Sequence, residues 1–385
     1  MNKPVEALSQ SYLLTKARNY REFMQTMEFK ANSSNNTVYA DADGNIAYLH
    51  PQFIPRRDDR FDYTEAVDGS NPATDWRGLH TLDELPQVRN PSVGWIMNTN
   101  NWPYSAAGPD SPKRENFPRY MDTFGETPRG IHATLLLTGH SGFSAESLNR
   151  AAYDDYLPAF ARLIPLLLSD YDALEESDPM KAQLAAPIRE LRAWDFRWAA
   201  SSVATTLAVL WGDDLWAKLN RDASAHRLSA YEAMASHANT AARLSTLQAV
   251  CTRLTHDFGE WRVAWGDMNR YQRRNGDIEQ RFADAAPSVP VPFTSGRWGS
   301  LAAFGARRYE GTTKYYGTNG NSFVAVVEFG DHVSARAVSI GGESGHPDSP
   351  HFADQVSRYV AGALRPVYFY PADLEGHVER RYHPE

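Results

Sequence analysis

The feature that most constrains the fold of this chain is a long helical block between two parts that carry strand patterns. Residues 144–282 are typical of helices, and 184–219 and 230–255 are rich in Ala, Leu, Arg and Glu. Ser144 is a plausible helix start. We therefore predict an α+β protein with a large helical insertion. The predicted domains are 1–143, 144–285 and 286–385.

The part before the helical block has its own pattern. Residues 5–30 place apolar side chains three and four positions apart, which predicts one helix. Residues 36–50 predict a β-hairpin around Asp43-Gly44, because Asp-Gly is a strong tight-turn signal. Val93–Met97 is predicted to be a short strand that ends in the polar turn Asn98–Asn101.

The part after the block returns to strand patterns. Residues 321–329 and 335–340 are β-branched and aromatic, which predicts two paired strands. A helix over 352–364 and a short strand over 366–370 are predicted to follow.

Composition and charge argue against several classes of function. The 385 residues carry a net charge of −8, whereas nucleic-acid binding needs a basic face. No run approaches the roughly 20 apolar residues of a membrane helix, so we predict no membrane segment. The first six residues lack an apolar signal core, so we expect no secretion signal in this chain. The single cysteine, Cys251, excludes an internal disulfide.

Common catalytic and metal-binding motifs are absent or incomplete. Residues 341–345 are glycine-rich but lack the order of a nucleotide-binding loop. Ser141, in Gly-His-Ser-Gly, lacks the order of a nucleophile elbow. His346 and His351 do not form a zinc pattern, and residues 41–45 lack the twelfth-position Glu of a calcium loop, so turn chemistry explains them better.

Four segments together resemble one family. They are Tyr39–His50 (YADADGNIAYLH), the region from Trp76-Arg-Gly through Asp83-Glu-Leu-Pro86 to Asn90–Asn101 (NPSVGWIMNTNN), Trp265–Arg270 (WGDMNR) and Gly341–Gln355 (GGESGHPDSPHFADQ). In this order they resemble motifs of the penicillin acylase family, which are amide hydrolases of the N-terminal-nucleophile type. The resemblance implies that the chain forms part of an αββα sandwich.

The resemblance implies that the catalytic serine lies outside this chain. In the family, a serine at the start of the β-chain attacks the amide and uses its own α-amine as base. That start lies well upstream of the hairpin, which here begins near residue 38. We therefore expect this chain to be the C-terminal portion of an acylase, inactive alone and associated with the upstream portion. Ser34, in Ser-Asn-Asn, imitates the β-chain start but lacks the tryptophan that should follow. A serine hydrolase that uses Ser34 or Ser141 unaided stays an alternative.

Two catalytic residues follow from the resemblance. Asn100, in the Asn98–Asn101 turn, matches the family's oxyanion-hole asparagine. Arg129 matches a family arginine near the active site and is expected to orient its surroundings. Asp110 matches one ligand of a family calcium site, but we predict no cofactor or metal for this chain.

The resemblance implies hydrolysis of the linear amide of an N-acylated small molecule. Candidate substrates are β-lactam side chains, acyl-homoserine lactones, whose cleavage would quench quorum signals, and lipopeptides. Trp102 and Tyr104 are expected to bind the acyl group. The full enzyme is expected to be periplasmic or secreted. The alternative is a truncated, non-catalytic remnant that acts as a binding or scaffold protein.

Overall fold

The computed structural model describes residues 3–225 and 230–383, without the side chains of 221–225 and 230. The chain divides into two compact units. Unit 1 comprises Met1–Phe143 and Glu328–Ser334, and unit 2 comprises Ser144–Val327 and Ala335–Glu385. No helix in the described ranges is both long enough and apolar enough to cross a bilayer.

The described part of unit 1 combines three α-helices with a small antiparallel sheet. Its elements are α1 (Pro4–Leu14), α2 (Tyr20–Met27), β1 (Thr37–Ala40), β2 (Ile46–Leu49), β3 (Gln87–Arg89) and α3 (Pro128–Leu137). The predicted hairpin is confirmed, since β1 pairs with β2 from Thr37↔Leu49 to Ala40↔Ile46. Oδ1 of Asp41 accepts a hydrogen bond from the backbone N–H of Asn45 at 2.9 Å and closes the turn.

The predicted helix over residues 5–30 is wrong, because two helices occupy this stretch. α1 ends at Leu14, and α2 begins after a new N-cap at Asn19. Oδ1 of Asn19 accepts from the backbone N–H of Glu22 at 3.0 Å, and Nδ2 of Asn19 donates to the Glu22 carboxylate at 3.1 Å. This cap satisfies the first turn of α2, so the helix restarts there.

The predicted strand Val93–Met97 is also wrong. Trp95 and Met97 are buried alternately, as in a strand, but these residues belong to no sheet. The N–H of Met97 donates to the carbonyl of Ala106 at 2.8 Å, in a loop rather than a β-ladder. Burial by the following loop therefore produces the period-two pattern.

Unit 2 is built around a helical core. Its helices are α4 (Ala145–Ala152), α5 (Pro158–Asp172), α6 (Pro179–Arg192), α7 (Val203–Ala225), α8 (Ala230–Ser236), α9 (Thr240–Phe258) and α10 (Trp265–Met268). Ser144 is the N-cap of α4, as the sequence predicts. Trp211, Leu163 and Leu247 lie in the core and are almost fully buried. The helical pattern ends at Met268 and not at 282, because the next residues form a strand.

Two sheets complete unit 2. The first contains β4 (Asn269–Tyr271), β5 (Val289–Pro290), β6 (Phe304–Arg308) and β7 (Tyr315–Gly320), in the order β5-β4-β7-β6. The second contains β8 (Phe323–Glu328), β9 (Ser334–Ser339) and β10 (Arg365–Pro366), in the order β10-β9-β8. The predicted pairing of the strands near 321–329 and 335–340 is confirmed.

The last predicted helix and strand are shorter than expected. The helix α11 covers only Val356–Ala361 and ends at Gly362, whose φ of +65° is left-handed. The strand predicted over 366–370 is reduced to β10, which pairs with β9. The mixed content of helices and small sheets agrees with the predicted α+β class.

Candidate active site

The centre of the candidate site is the asparagine turn, which we define as residues 98–101. Asn100 has a φ of +62°, in the left-handed region that asparagine occupies more readily than most residues. Its backbone N–H donates to Oδ1 of Asn98 at 3.1 Å. One asparagine side chain therefore stabilises the backbone of the next, while the Asn100 side chain is exposed.

Asn101 anchors the asparagine turn, since only 2% of its surface is exposed. Its Oδ1 accepts from N and Oγ1 of Thr99, at 3.0 and 3.1 Å. Its Nδ2 donates to Oγ of Ser105 and to Oε1 of Glu126, both at 2.9 Å. Because this amide is occupied by protein partners, the Asn101 side chain shapes the turn and has no free N–H to offer a ligand.

Glu126 connects the turn to the start of α3. Its Oε1 also accepts from the backbone N–H of Thr127 at 2.7 Å, and its Oε2 accepts from Nε1 of Trp102 at 3.2 Å. Glu126 was not predicted from the sequence. A glutamate before a helix start is common on protein surfaces, so its position alone does not indicate this bridging role.

Gly130 lies where α3 approaches the turn closely. A Cβ at this position would lie 2.7 Å from Nδ2 of Asn101 and would overlap the carboxylate of Glu126. A side chain at position 130 would therefore displace the Glu126 carboxylate and the Asn101 amide from the positions in which they hydrogen-bond.

Arg129 is the second residue of α3 and contacts Asn100. The helix is capped by Thr127, whose Oγ1 accepts from the N–H of Gly130 at 3.1 Å. Nη2 of Arg129 donates to Oδ1 of Asn100 at 2.9 Å. Because a guanidinium can only donate, the amide oxygen of Asn100 must face Arg129.

The same contact turns Nδ2 of Asn100 away from Arg129. No described residue accepts a hydrogen bond from this Nδ2, and the side chain is exposed. Burial lowers the pKa of Arg129, although a guanidinium stays protonated in proteins. A charged donor on the oxygen polarises the amide and strengthens its outward N–H as a donor. The structure thus brings the two predicted catalytic residues together.

Trp102 and Tyr104, the predicted acyl-binding residues, lie directly after the turn. Their rings make an edge-to-face contact with centroids 5.6 Å apart. Trp102 is held through its indole N–H by Glu126, and Tyr104 packs against Phe117 at 6.1 Å. The Tyr104 hydroxyl is buried with no described hydrogen-bond partner, and burial raises its pKa.

The two alternative serines lie on the surface of the described part of the chain. Ser34 is exposed, and its Oγ donates only to Oδ1 of the neighbouring Asn35 at 3.4 Å. Ser141 is exposed in the loop before α4. No described histidine or carboxylate is hydrogen-bonded to either hydroxyl.

Asp110 is occupied by protein donors. Its Oδ2 accepts from Oγ of Ser92 at 2.6 Å and from the N–H of Val93 at 3.1 Å. These hydrogen bonds, that of Ser92 first, lower the pKa of Asp110. The described residues contain no group of three His, Cys, Asp or Glu side chains placed to hold a metal ion.

Comparison with solved structures identifies the fold. The chain is similar to a thermostable penicillin G acylase from Alcaligenes faecalis, with a TM-score of 0.61 and 19% sequence identity, over 99% of this chain and 73% of that one. The predicted fold class, that of N-terminal-nucleophile hydrolases, is thereby confirmed.

Comparison of sequences identifies the family. The model of the penicillin amidase family matches residues 2–376, and the chain belongs to this family. Over 88 residues, or 23% of this chain, it is 39% identical to penicillin G acylase of Escherichia coli. The matched segment spans only 10% of that protein.

Proposed function

We propose that this chain supplies the oxyanion-stabilising part of an acylase that cleaves the linear amide bond of an N-acylated small molecule. The observation that carries this proposal is the hydrogen bond from Arg129 to Oδ1 of Asn100. It fixes the orientation of the amide and leaves an uncharged N–H donor exposed beside a half-buried cation.

The proposed chemistry is acyl transfer through a tetrahedral intermediate. A terminal serine on a polypeptide outside these 385 residues attacks the amide carbonyl. The carbonyl oxygen becomes negative, and Nδ2–H of Asn100 donates to it. The serine's own α-amine takes the hydroxyl proton during the attack and passes it to the leaving amine as the C–N bond breaks. Water, deprotonated by the same amine, then hydrolyses the ester and releases the acyl group from the serine. Arg129 orients Asn100, and its positive charge favours the neutral form of the nucleophile's own amine.

The substrate proposal rests on the aromatic side chains beside the turn. Trp102 and Tyr104 would contact the acyl group, because they follow the oxyanion donor directly and keep their ring planes fixed by Glu126 and Phe117. A β-lactam side chain, an acyl-homoserine lactone or a lipopeptide presents an apolar acyl group of this kind. Cleavage of the second class would quench quorum signals.

The proposed partner is the upstream portion of an acylase, which carries the serine. Exposed apolar side chains favour such an association. Val5, Leu8 and Tyr12 lie on one face of α1 and are 72%, 73% and 65% exposed. The mechanism needs no cofactor. By likeness to the family, the full enzyme would act in the periplasm or outside the cell.

Complementation tests the proposal. A panel of chromogenic acyl-amides would be offered to the chain alone and after co-expression with an upstream acylase portion. We expect turnover only in the complemented sample. Asn100→Asp should then lower kcat about 10²–10³-fold, because Asp keeps an oxygen for Arg129 but removes the N–H donor. Asn35→Asp, an exposed site in another loop, is the matched control.

Two outcomes would contradict this function. Substrate binding without turnover, even in the complemented sample, would favour the non-catalytic remnant. Turnover by the isolated chain would place the nucleophile inside it, and labelling by a serine-reactive phosphonate would then identify Ser34 or Ser141.

A further inference from the structure

A buried histidine lies beneath the asparagine turn and has no part in the chemistry above. His50 follows β2 and is only 5% exposed. Its backbone N–H donates to the carbonyl of Pro86 at 3.0 Å, which fixes the main chain at this residue. A buried imidazole must find partners for both ring nitrogens, so its surroundings indicate where its protons lie.

Both ring nitrogens of His50 face acceptors. Nδ1 lies 3.1 Å from Oδ1 of Asn36, and Nε2 lies 3.2 Å from the carbonyl oxygen of Met121. The carboxylate of Asp122 is 3.9 Å from Nε2. Burial lowers the pKa of His50, while the Met121 carbonyl and the Asp122 charge act in the opposite direction.

The orientation of Asn36 follows from its second contact. Nδ2 of Asn36 donates to the backbone carbonyl of Asn101 at 3.4 Å. The other end of the amide, Oδ1, must therefore face His50, and a favourable contact requires a proton on Nδ1. The Met121 carbonyl requires a proton on Nε2 in the same way, so only the doubly protonated ring makes both contacts at once. A turned amide would place two oxygens against each other at Asn101.

We propose that His50 is a positioning residue for the asparagine turn: its Nδ1–H orients Asn36, which holds the carbonyl of Asn101, one residue after the oxyanion donor. This role rests on the proposed function of Asn100. Arg129 fixes the side chain of Asn100 and Glu126 fixes the side chain of Asn101. The His50–Asn36 pair in addition fixes the backbone carbonyl of Asn101.

The first test uses the chain alone. In ¹⁵N spectra of the His50 ring, we expect a protonated Nδ1. A ring protonated only at Nε2 would overturn the proposal. This measurement needs no variant, no partner and no activity.

Matched variants extend the test. In His50→Asn the new amide nitrogen takes the place of Nδ1, whereas in His50→Gln it takes the place of Nε2. Asn36→Asp keeps an acceptor for His50 but removes the donor to Asn101. We expect the Asn101 carbonyl ¹³C and Trp102 amide ¹⁵N resonances to move in His50→Gln and Asn36→Asp and to stay near wild type in His50→Asn. Equal shifts in both His50 variants would contradict the proposal.

Turnover gives the functional readout. In the complemented enzyme, His50→Gln and Asn36→Asp should lower kcat by about 10²-fold with little change in KM, because misplacement of a catalytic donor costs about that much. His50→Asn should restore kcat to within a few-fold. Wild-type kcat in His50→Gln would overturn the positioning role. An inactive wild-type complex would instead contradict the proposed function. The Asn101 carbonyl ¹³C resonance of the variants would then still show whether His50 positions the turn.

Discussion

Arg129 carries a positive charge at a half-buried position, and its described hydrogen bond goes to the oxygen of Asn100. Burial is the cause that lowers its pKa. Because burying a charge costs free energy, a partly buried cation usually has a structural or functional role. Here it fixes the direction of an exposed amide, which makes its removal informative.

Replacing Arg129 tests this role directly. Arg129→Met keeps much of the side-chain volume but removes the donor, so the Asn100 amide is free to rotate. A hydrogen bond to a charged group contributes about 1.5–3 kcal/mol, so we expect kcat of the complemented enzyme to fall about 10–10²-fold. Arg129→Lys retains the positive charge but lacks the planar guanidinium, so its kcat should lie between those of wild type and Arg129→Met. Unchanged kcat in Arg129→Met would contradict the role.

Gly130 gives a test that needs no activity. Within a helix, Gly→Ala normally stabilises by up to about 1 kcal/mol. At position 130 we expect the opposite sign, a loss of about 1–3 kcal/mol, because the new methyl group overlaps Glu126 and crowds Asn101. Chemical unfolding of the isolated chain would measure the change.

A double-mutant cycle identifies the cause of that loss. In Glu126→Ala the overlapping carboxylate is absent, so adding Gly130→Ala should cost much less than it does in wild type. Additive losses would mean that the carboxylate is not the source of strain.

At the residue scale, the sequence predicts Asn100 and Arg129 as candidate site residues but does not predict the residues that hold them in place. Asn100 and Arg129 lie in motifs that resemble the family's, and the structure joins them. Glu126, Asn36 and His50 were missed because their contacts bridge 25, 65 and 14 residues of sequence. No local pattern records such pairings. Gly130 was a signal that went unused, since a glycine near a helix start often marks a close approach.

Among the elements, the sequence predicts those whose signals are local. The β1–β2 hairpin has its Asp-Gly turn, and α4 has its N-cap Ser144. The break between α1 and α2 also had a local signal, Asn19 followed three residues later by Glu22, which the apolar periodicity obscured. The false strand at 93–97 arose because a loop buries alternate side chains in the same way as a sheet.

The cap of α3 carries a prediction at the scale of the element. Thr127→Ala should destabilise the isolated chain by about 1 kcal/mol, because the N–H of Gly130 loses its acceptor. Thr127→Ser keeps the hydroxyl and is the matched control. Thermal unfolding of the two variants decides the matter, and equal midpoints would show that the cap contributes nothing.

For the whole molecule, composition and periodicity predict a helical block but not the sheets that follow it. β4 pairs in parallel with β7, Asn269↔Tyr315, across a long stretch of sequence. Asn269 is fully buried, and its Nδ2 donates to the carbonyls of Val291 and Phe293. A buried asparagine in a strand contradicts simple hydrophobic patterning, which explains why the helical prediction was carried past Met268.

Acid should destabilise unit 1 through Glu84. Its carboxylate accepts from the N–H of Thr81 at 3.0 Å and contacts His80 and Arg56, and these partners, Thr81 first, lower its pKa from 4.5 to about 2. When folding lowers the pKa of a carboxyl group, the ionised group stabilises the folded state. This stabilisation is complete at pH values above the pKa that the group has in the unfolded chain. We therefore expect the contribution to be complete above about pH 4.5 and to be lost as the pH falls towards 2.

Urea unfolding midpoints measured across this pH range would test the effect. Glu84→Gln should show a shallower loss of stability on acidification than wild type. Glu115→Gln, at an exposed position, should follow the wild-type curve. If the unfolding midpoints of wild type and Glu84→Gln fall in parallel as the pH is lowered, the Glu84 carboxylate makes no pH-dependent contribution to stability.

The left-handed backbone of Asn100 also has a consequence for directed evolution. In a library that varies position 100, a screen for soluble, folded protein would favour the few residues that accept a φ of +62°, glycine foremost. A screen for turnover would favour a side chain that both accepts from Arg129 and donates outward, which asparagine does and glycine does not. The two screens would therefore enrich different residues, and their disagreement would mark the position as one retained for chemistry.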